Sequence, residues 1–371
     1  MRCWLYSHDG VGLGSLRRQL AIAAALEKLS PESRVLLSTS LSEASHFEAP
    51  ANCEIIKLPA VRDHSLRTAR LQEVAQTFRP DVLLVDKHPF GLGNELNVPI
   101  ETVKRQGARL VWGLRDILGD RATVLREWLA SETQKCIAKY YDRILIYGSA
   151  ALFDPVKEYR FSSRLRDLAM FCGYVVNDGT RNVLTPAAST SGGSNRPLVM
   201  GTAGGGADGF NLLKVFIETA KGAPWRGSVV AGPFLEAHAR QSLRRLALSN
   251  GVSFHRFDPE LSLLFAQASV AVGMGGYNTL METLSRGIPV ICVPRTRPRS
   301  EQVLRAALFE RQGLLRMIHP DDLTVNTLDA AISDALQVPR SHALARVDSL
   351  LQFDGARQTA NQIANLSQGL D

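Results

Sequence analysis

Short apolar runs alternate along the chain with stretches in which apolar residues recur every three to four positions. The runs over residues 2–6, 34–38, 54–57, 81–85, 109–112 and 143–146 predict strands. Between them, residues 16–29, 66–77 and 122–139 carry the period of amphipathic helices; Leu16, Leu20, Ala23 and Ala24 share one face of the first. Such alternation predicts an α/β fold, a mostly parallel sheet with helices on both faces. Residues 177–197 break the pattern, being rich in Ser, Thr, Gly, Asn and Pro, and read as an exposed linker. The alternation then restarts with strand-like LVMG, GSVVAG, VSFHRF, SVAVGMG, PVICVP and LLRMI. The expected organisation is a first doubly wound domain over 1–178, a linker over 179–196 and a second domain over 197–348. A final helical stretch, within 349–371, is a candidate to pack back on the first domain.

Three strand–helix junctions are rich in glycine, and in a parallel sheet ligands bind beyond the carboxyl ends of the strands. The first runs from His8 and Asp9 through Gly12 and Gly14 to Ser15. Glycine lets backbone approach a ligand or take positive φ, and the helix that follows offers N–H groups to an anion. Ser15 is also a good N-cap, so a tight capped turn accounts for the same residues. In the second, GTAGGGADGF, Gly204, Gly205 and Gly206 serve either ligand access or a wide turn, with Asp208 placed to cap the next helix. In the third, a strand ends in Gly273-Met274-Gly275-Gly276 and a helix runs from Tyr277, Asn278 and Thr279 to about Arg286. Its N-terminus is a backbone anion site. Glu282 can accept two hydroxyls of a vicinal diol such as a ribose, or is a solvated helix glutamate. Arg295, Arg297 and Arg299 precede Glu301 and Gln302. An acid beside an amide suits sugar hydroxyls, arginines suit phosphates or carboxylates, and Glu301 is also a favourable first-turn charge.

The 371 residues suit two domains of roughly 150–200 residues. With 45% hydrophobic and 21% charged residues and a mean hydropathy of −0.04, the composition is ordinary for a globular protein. No apolar run reaches the ~20 residues of a membrane span, and the opening residues lack a signal peptide's apolar segment. A cytoplasmic location is the expectation. Cys3, Cys53, Cys136, Cys172 and Cys292 are scattered without a CxxC pair, which favours small buried hydrophobes over a disulfide framework or a zinc site. The net charge of +7 points to anionic partners. No basic run is interleaved with aromatics, so no nucleic-acid partner is expected.

The segment GMGGYNTLMETLSRGIPVICVPRTRPRSEQVLRAALFERQGL, residues 273–314, resembles the C-terminal domain of the glycosyltransferase 28 family. GTAGGGADG and YSHDGVGLGSLRR lie where that family has its other glycine loops. The resemblance implies a GT-B fold, two Rossmann-like doubly wound domains facing across a cleft. It also implies an inverting, metal-independent transfer from a nucleotide-sugar, a co-substrate, with no cofactor. Gly275, Gly276 and the helix start at Tyr277, Asn278 and Thr279 would hold the diphosphate, and Gly204–Gly206 would approach it from the facing loop. Glu282 would bind the donor ribose, Glu301 and Gln302 the sugar, and Phe257 would lie beside the base, a uracil by analogy. Arg295 suits an anionic donor group.

The first domain would bind the acceptor through the loops of Gly12, Gly14, Asp86 and His88. Here the chain departs from the family, because Ser15 stands where the family carries its histidine base. A serine hydroxyl is a poor base near neutral pH, where imidazole titrates. His8 and Asp9, or Asp86 and His88 in LLVDKHPFG, are the other candidates; otherwise Ser15 marks a low-activity form. A non-catalytic sugar-nucleotide binder and a sugar-nucleotide epimerase are the alternatives. The implied acceptors are a small molecule, a glycan or a lipid-linked compound. A lipid-linked one would bring peripheral contact with the inner membrane face. FSSRLRDLAMF, residues 161–171, is compatible with such contact as a basic helix, but reads first as a solvated one.

Overall fold

The computed structural model describes residues 1–8, 12–60, 62–177, 196–258, 261–297 and 300–370. Asp9, Arg299 and nearly all of the expected linker lie outside the described residues. The chain divides into two units, residues 1–177 with 351–371, and residues 178–350.

The first unit holds seven parallel strands, β1 (Arg2–Tyr6), β2 (Arg34–Thr39), β3 (Cys53–Lys57), β4 (Val82–Asp86), β5 (Arg109–Arg115), β6 (Arg143–Tyr147) and β7 (Ala169–Phe171). Its helices are α1 (Gly14–Leu29), α2 (His64–Phe78), α3 (Asn97–Arg105), α4 (Arg121–Ala130), α5 (Thr133–Tyr140), α6 (Pro155–Glu158) and α7 (Ser163–Leu168). The second unit holds β8 (Leu198–Thr202), β9 (Arg226–Val230), β10 (Ser253–His255), β11 (Val270–Gly273), β12 (Val290–Cys292) and β13 (Arg316–Met317). Its helices are α8 (Phe210–Thr219), α9 (Ala237–Ser249), α10 (Leu261–Gln267), α11 (Tyr277–Leu284), α12 (Glu301–Arg311), α13 (Val325–Leu336) and α14 (Arg340–Asp348). The last helix, α15 (Gly355–Ser367), belongs to the first unit and packs on α1.

The sheet orders are β3-β2-β1-β4-β5-β6-β7 and β10-β9-β8-β11-β12-β13, so both units are doubly wound. Each order reverses once, at β1/β4 and at β8/β11. The chain connections diverge there and leave a crevice at the strands' carboxyl ends. The central strands β4 and β11 are buried at every position because helices cover both faces of the sheet. All five cysteines are free thiols, and burial pushes Cys53, Cys172 and Cys292 up to about 12. Among the described residues, no helix is long and apolar enough to cross a membrane.

Several local expectations are corrected. The helix expected over 122–139 is two helices, because Glu132 adopts a left-handed conformation (φ 49°) and the Ser131 hydroxyl bonds back to the Glu127 carbonyl at 2.8 Å. Residues 161–171 are helical only over Ser163–Leu168, where Arg164, Arg166 and Asp167 are exposed. Phe161, Leu165 and Leu168 are buried, and Ala169–Phe171 extends the sheet against β6. The final helix begins at Gly355 rather than near 349, and α11 stops at Leu284. Asp208 does not cap α8, whose N-cap is Gly209 with no side-chain bond; its carboxylate meets Arg295 instead.

Candidate functional site

The crevice of the second unit is bounded by the loop after β8 and the turn from β11 into α11. Its glycines do different things. A Cβ on Gly206 (φ +91°) would lie 2.3 Å from the Ala231 carbonyl oxygen, and one on Gly275 would lie 3.0 Å from that of Gln302. These two permit close packing against the loop after β9 and the start of α12. Gly205 belongs with them, its carbonyl accepting the Phe234 N–H at 2.9 Å. By contrast, among the described residues the only atom near a Cβ on Gly204 (φ +62°) would be the Thr279 hydroxyl at 3.7 Å, and Gly276 has nothing within 4 Å. The open surface therefore lies between Gly204 and the first turn of α11. Among the described residues no side-chain hydrogen bond is made at the N-cap of that helix, Gly276, and its positive end lies at Tyr277, Asn278 and Thr279.

Three polar side chains border this turn. Glu282, Glu301 and Gln302 are only 6%, 8% and 7% exposed, so Glu282 is not a solvated helix glutamate. The Arg295 N–H donates to Gln302 Oε1 at 3.0 Å, while its guanidinium reaches Asp208 at 3.4 Å and Glu301 at 4.0 Å. Arg295 thus ties the loop after β8 to the first turn of α12. Arg297 is exposed and Phe257 half-buried just after β10. Arg305 was not signalled by the sequence. It is fully buried, donates to the Gly275 carbonyl at 3.1 Å and lies over the Tyr277 ring, which fixes the turn from below.

The first unit's crevice is built of side chains. Ser15 is not an N-cap: α1 begins at Gly14 with Leu13 at the cap position. The Ser15 hydroxyl accepts the His8 backbone N–H at 2.9 Å and donates to Asp86 Oδ2 at 2.6 Å. Arg18 donates to both oxygens of that carboxylate, at 2.7 and 3.3 Å. Asp86 is fully buried and Arg18 nearly so, so α1 is bolted to the end of β4 by a buried ion pair. Gly12 (φ +96°), in the loop before α1, has no described atom within 4 Å of where its Cβ would lie. Beyond Asp86 the chain turns at Lys87 (φ +66°), and the His88 N–H donates back to the Asp86 carbonyl at 2.9 Å. A non-glycine residue held there is strained, and such strain gathers at functional sites.

That turn brings the His88 ring centroid 4.3 Å from that of His8, with the ring planes tilted by 54°. Burial, aided by His88, Lys87, Arg115 and Arg18, lowers His8 from its ordinary 6.5 to about 2. His8 therefore stays neutral, and it accepts a proton so weakly that it makes a poor general base. His88 is half-buried and is the more accessible imidazole. A buried triad behind it was also missed in the sequence. Tyr6 donates to Glu95 at 2.5 Å, and Arg67 grips the same carboxylate at 2.6 and 2.8 Å, which anchors the loop after β4. Among the described residues no group of three or more His, Cys, Asp or Glu side chains stands where it could hold a metal ion.

Residues 229–362 match the glycosyltransferase family 28 C-terminal domain. An NDP-glycosyltransferase of Bacillus licheniformis is 28% identical over 187 residues, 48% of this chain and 43% of its own. A UDP-N-acetylglucosamine–N-acetylmuramyl-(pentapeptide) pyrophosphoryl-undecaprenol N-acetylglucosamine transferase of Shouchella clausii is 27% identical over 114 residues, 30% of each chain. The chain thus spans less than half the length of these curated relatives. The crystal structure of the glycosyltransferase VinC with dTDP superposes with a TM-score of 0.64 at 16% identity, covering 100% of both chains. The likeness identifies the fold as GT-B.

Proposed function

We propose that this chain, whose residues 229–362 match the glycosyltransferase family 28 C-terminal domain, transfers a sugar from a nucleoside diphosphate sugar to an acceptor hydroxyl. One observation carries this reading: at the second unit's switch point the N-terminus of α11 lies beside two glycines, Gly204 and Gly276, that are open among the described residues, and three buried polar side chains, Glu282, Glu301 and Gln302. The helix start takes the diphosphate, Glu282 the ribose diol, and Glu301 with Gln302 the sugar hydroxyls. The names of the two relatives support a nucleotide-sugar donor, and uridine is the proposed nucleoside. The acceptor oxygen attacks C1 from the face opposite the leaving diphosphate, inverting that carbon. Charge growing on the diphosphate is met by the α11 dipole and Arg295, without calling on a metal or cofactor.

The test is UDP affinity. Glu282→Gln should weaken it by about tenfold or more, the loss of roughly one charge-assisted hydrogen bond; unchanged affinity would remove the donor-site assignment. The engaged Ser15 hydroxyl favours a second reading, a binder without turnover. Retained UDP binding with no donor turnover in the chain or in Ser15→His would select it.

A further inference from the structure

The turn from β11 into α11 contains one peptide unit with glycine on both sides, Gly275–Gly276. Glycine leaves the backbone on either side of such a unit free, so its C=O and N–H can exchange faces at little cost. The orientation matters at an anion site, because a carbonyl turned to the opening repels what an N–H attracts. Here Arg305 fixes it. Its fully buried guanidinium donates to the Gly275 carbonyl at 3.1 Å. The same group lies 5.8 Å from the centre of the Tyr277 ring, a cation–π contact that restrains it. A trans peptide holds its C=O and N–H on opposite sides of the chain. With the carbonyl drawn to the interior, the Gly276 N–H faces away from Arg305. Gly275 is buried and Gly276 half-buried, so this peptide leads from the core to the surface. Among the described residues the Gly276 N–H has no hydrogen-bond partner. Arg305 stands one helical turn beyond Glu301 and Gln302 on α12, and a Cβ on Gly275 would lie 3.0 Å from the Gln302 carbonyl oxygen. One helix thus carries both the polar pair and the clamp on the turn.

We propose that Arg305 is a positioning residue for the donor: it holds the Gly275–Gly276 peptide so that the Gly276 N–H joins the start of α11 in binding the diphosphate. The inference rests on the glycosyltransferase reading and deepens it, adding one backbone donor ahead of the helix and one side chain that acts through it. Being fully buried, Arg305 does not touch the ligand itself. Its effect is preorganisation. With the N–H already turned outward, no binding energy is used to flip the peptide when the ligand arrives. In the transfer the C1–O bond to the diphosphate breaks and its electron pair leaves with the nucleoside diphosphate. The Gly276 N–H then meets the growing charge without having to reorient.

Gly276 itself allows the test, because its φ of −67° suits proline, which has no N–H. Gly276→Ala adds a Cβ and keeps the N–H, whereas Gly276→Pro removes it. UDP titrated into the full chain should bind about tenfold more weakly to Gly276→Pro than to Gly276→Ala. Uridine, followed by ligand-observed NMR, should bind the two alike. Arg305→Met should weaken UDP about tenfold in the otherwise unchanged chain, but less than about twofold when added to Gly276→Pro, where no N–H is left to orient. Arg305→Lys keeps a charged donor and should lose less than Arg305→Met; if the methionine variant does not fold, the lysine variant replaces it, its smaller loss again vanishing beside Gly276→Pro. A merely structural role would weaken uridine as much as UDP, and the two losses would multiply in the double variant. Either of those outcomes, or Gly276→Pro binding UDP as tightly as Gly276→Ala, would overturn the proposal. The donor reading then still stands if Glu282→Gln weakens UDP, and falls if UDP affinity is indifferent to that change.

Discussion

The two sheets share one strand order, yet their switch-point crevices are furnished in opposite ways. At β8/β11 the surface is mostly backbone: Gly204, Gly276 and the start of α11, backed by Arg305. At β1/β4 it is side chains: Ser15, Arg18 and Asp86 in a buried network, with the His8 and His88 rings tilted against each other above the strand ends. Backbone N–H groups suit an anion whose shape is fixed, such as a diphosphate. Titratable side chains suit the place where a proton has to move. The proposed function therefore assigns charge stabilisation to the one crevice and proton transfer to the other.

The largest expected effect strikes the first crevice. Asp86→Ala leaves Arg18 buried without its carboxylate and should cost about 3–5 kcal/mol of stability in denaturant unfolding, with UDP affinity retained. A loss below about 1 kcal/mol would show that the network is not a structural bolt.

Next comes a contrast inside the second crevice. Gly206→Ala drives a methyl into the Ala231 carbonyl at a positive φ and should cost about 2 kcal/mol or more. Gly276→Ala enters open space at φ −67° and should cost under about 1 kcal/mol. Equal costs in thermal unfolding would erase the distinction between packing and open glycines.

A smaller effect comes from pH. Because His8 drops from 6.5 to about 2 on folding, the unfolded chain binds a proton below pH 6.5 that the native one refuses. Stability from this group is complete above 6.5 and is lost as pH falls through that window. Between pH 6.5 and 5 the loss is up to about 2 kcal/mol, and His8→Gln should lack that share. Parallel stability–pH curves for the two proteins would contradict it. The smallest effect is Ser15→Ala, at about 1–2 kcal/mol for the bonds to His8 and Asp86; a cost above about 4 kcal/mol would mean the hydroxyl holds more than those two.

How legible was this arrangement in the sequence? The strands were, apart from β7, because strands such as β4 and β11 are buried on both faces and read as unbroken apolar runs. The glycine loops were too, since their composition admits little else. Side-chain partnerships were not. Ser15 meets Asp86 across 71 positions, Arg67 meets Glu95 across 28, and Arg305 reaches Gly275 across 30, distances at which no local periodicity carries information. The break at Glu132 escaped for a related reason, because hydroxyls of Ser131 and Thr133 competed with a helix that periodicity alone favours.

The central claim concerns the start of α11, and a crystal structure with UDP bound tests it most directly. The diphosphate oxygens should lie about 3 Å from the backbone N–H groups of Tyr277, Asn278 or Thr279, with the ribose hydroxyls on Glu282. UDP seated instead among Arg18, Asp86 and His88 would contradict the division between the two crevices.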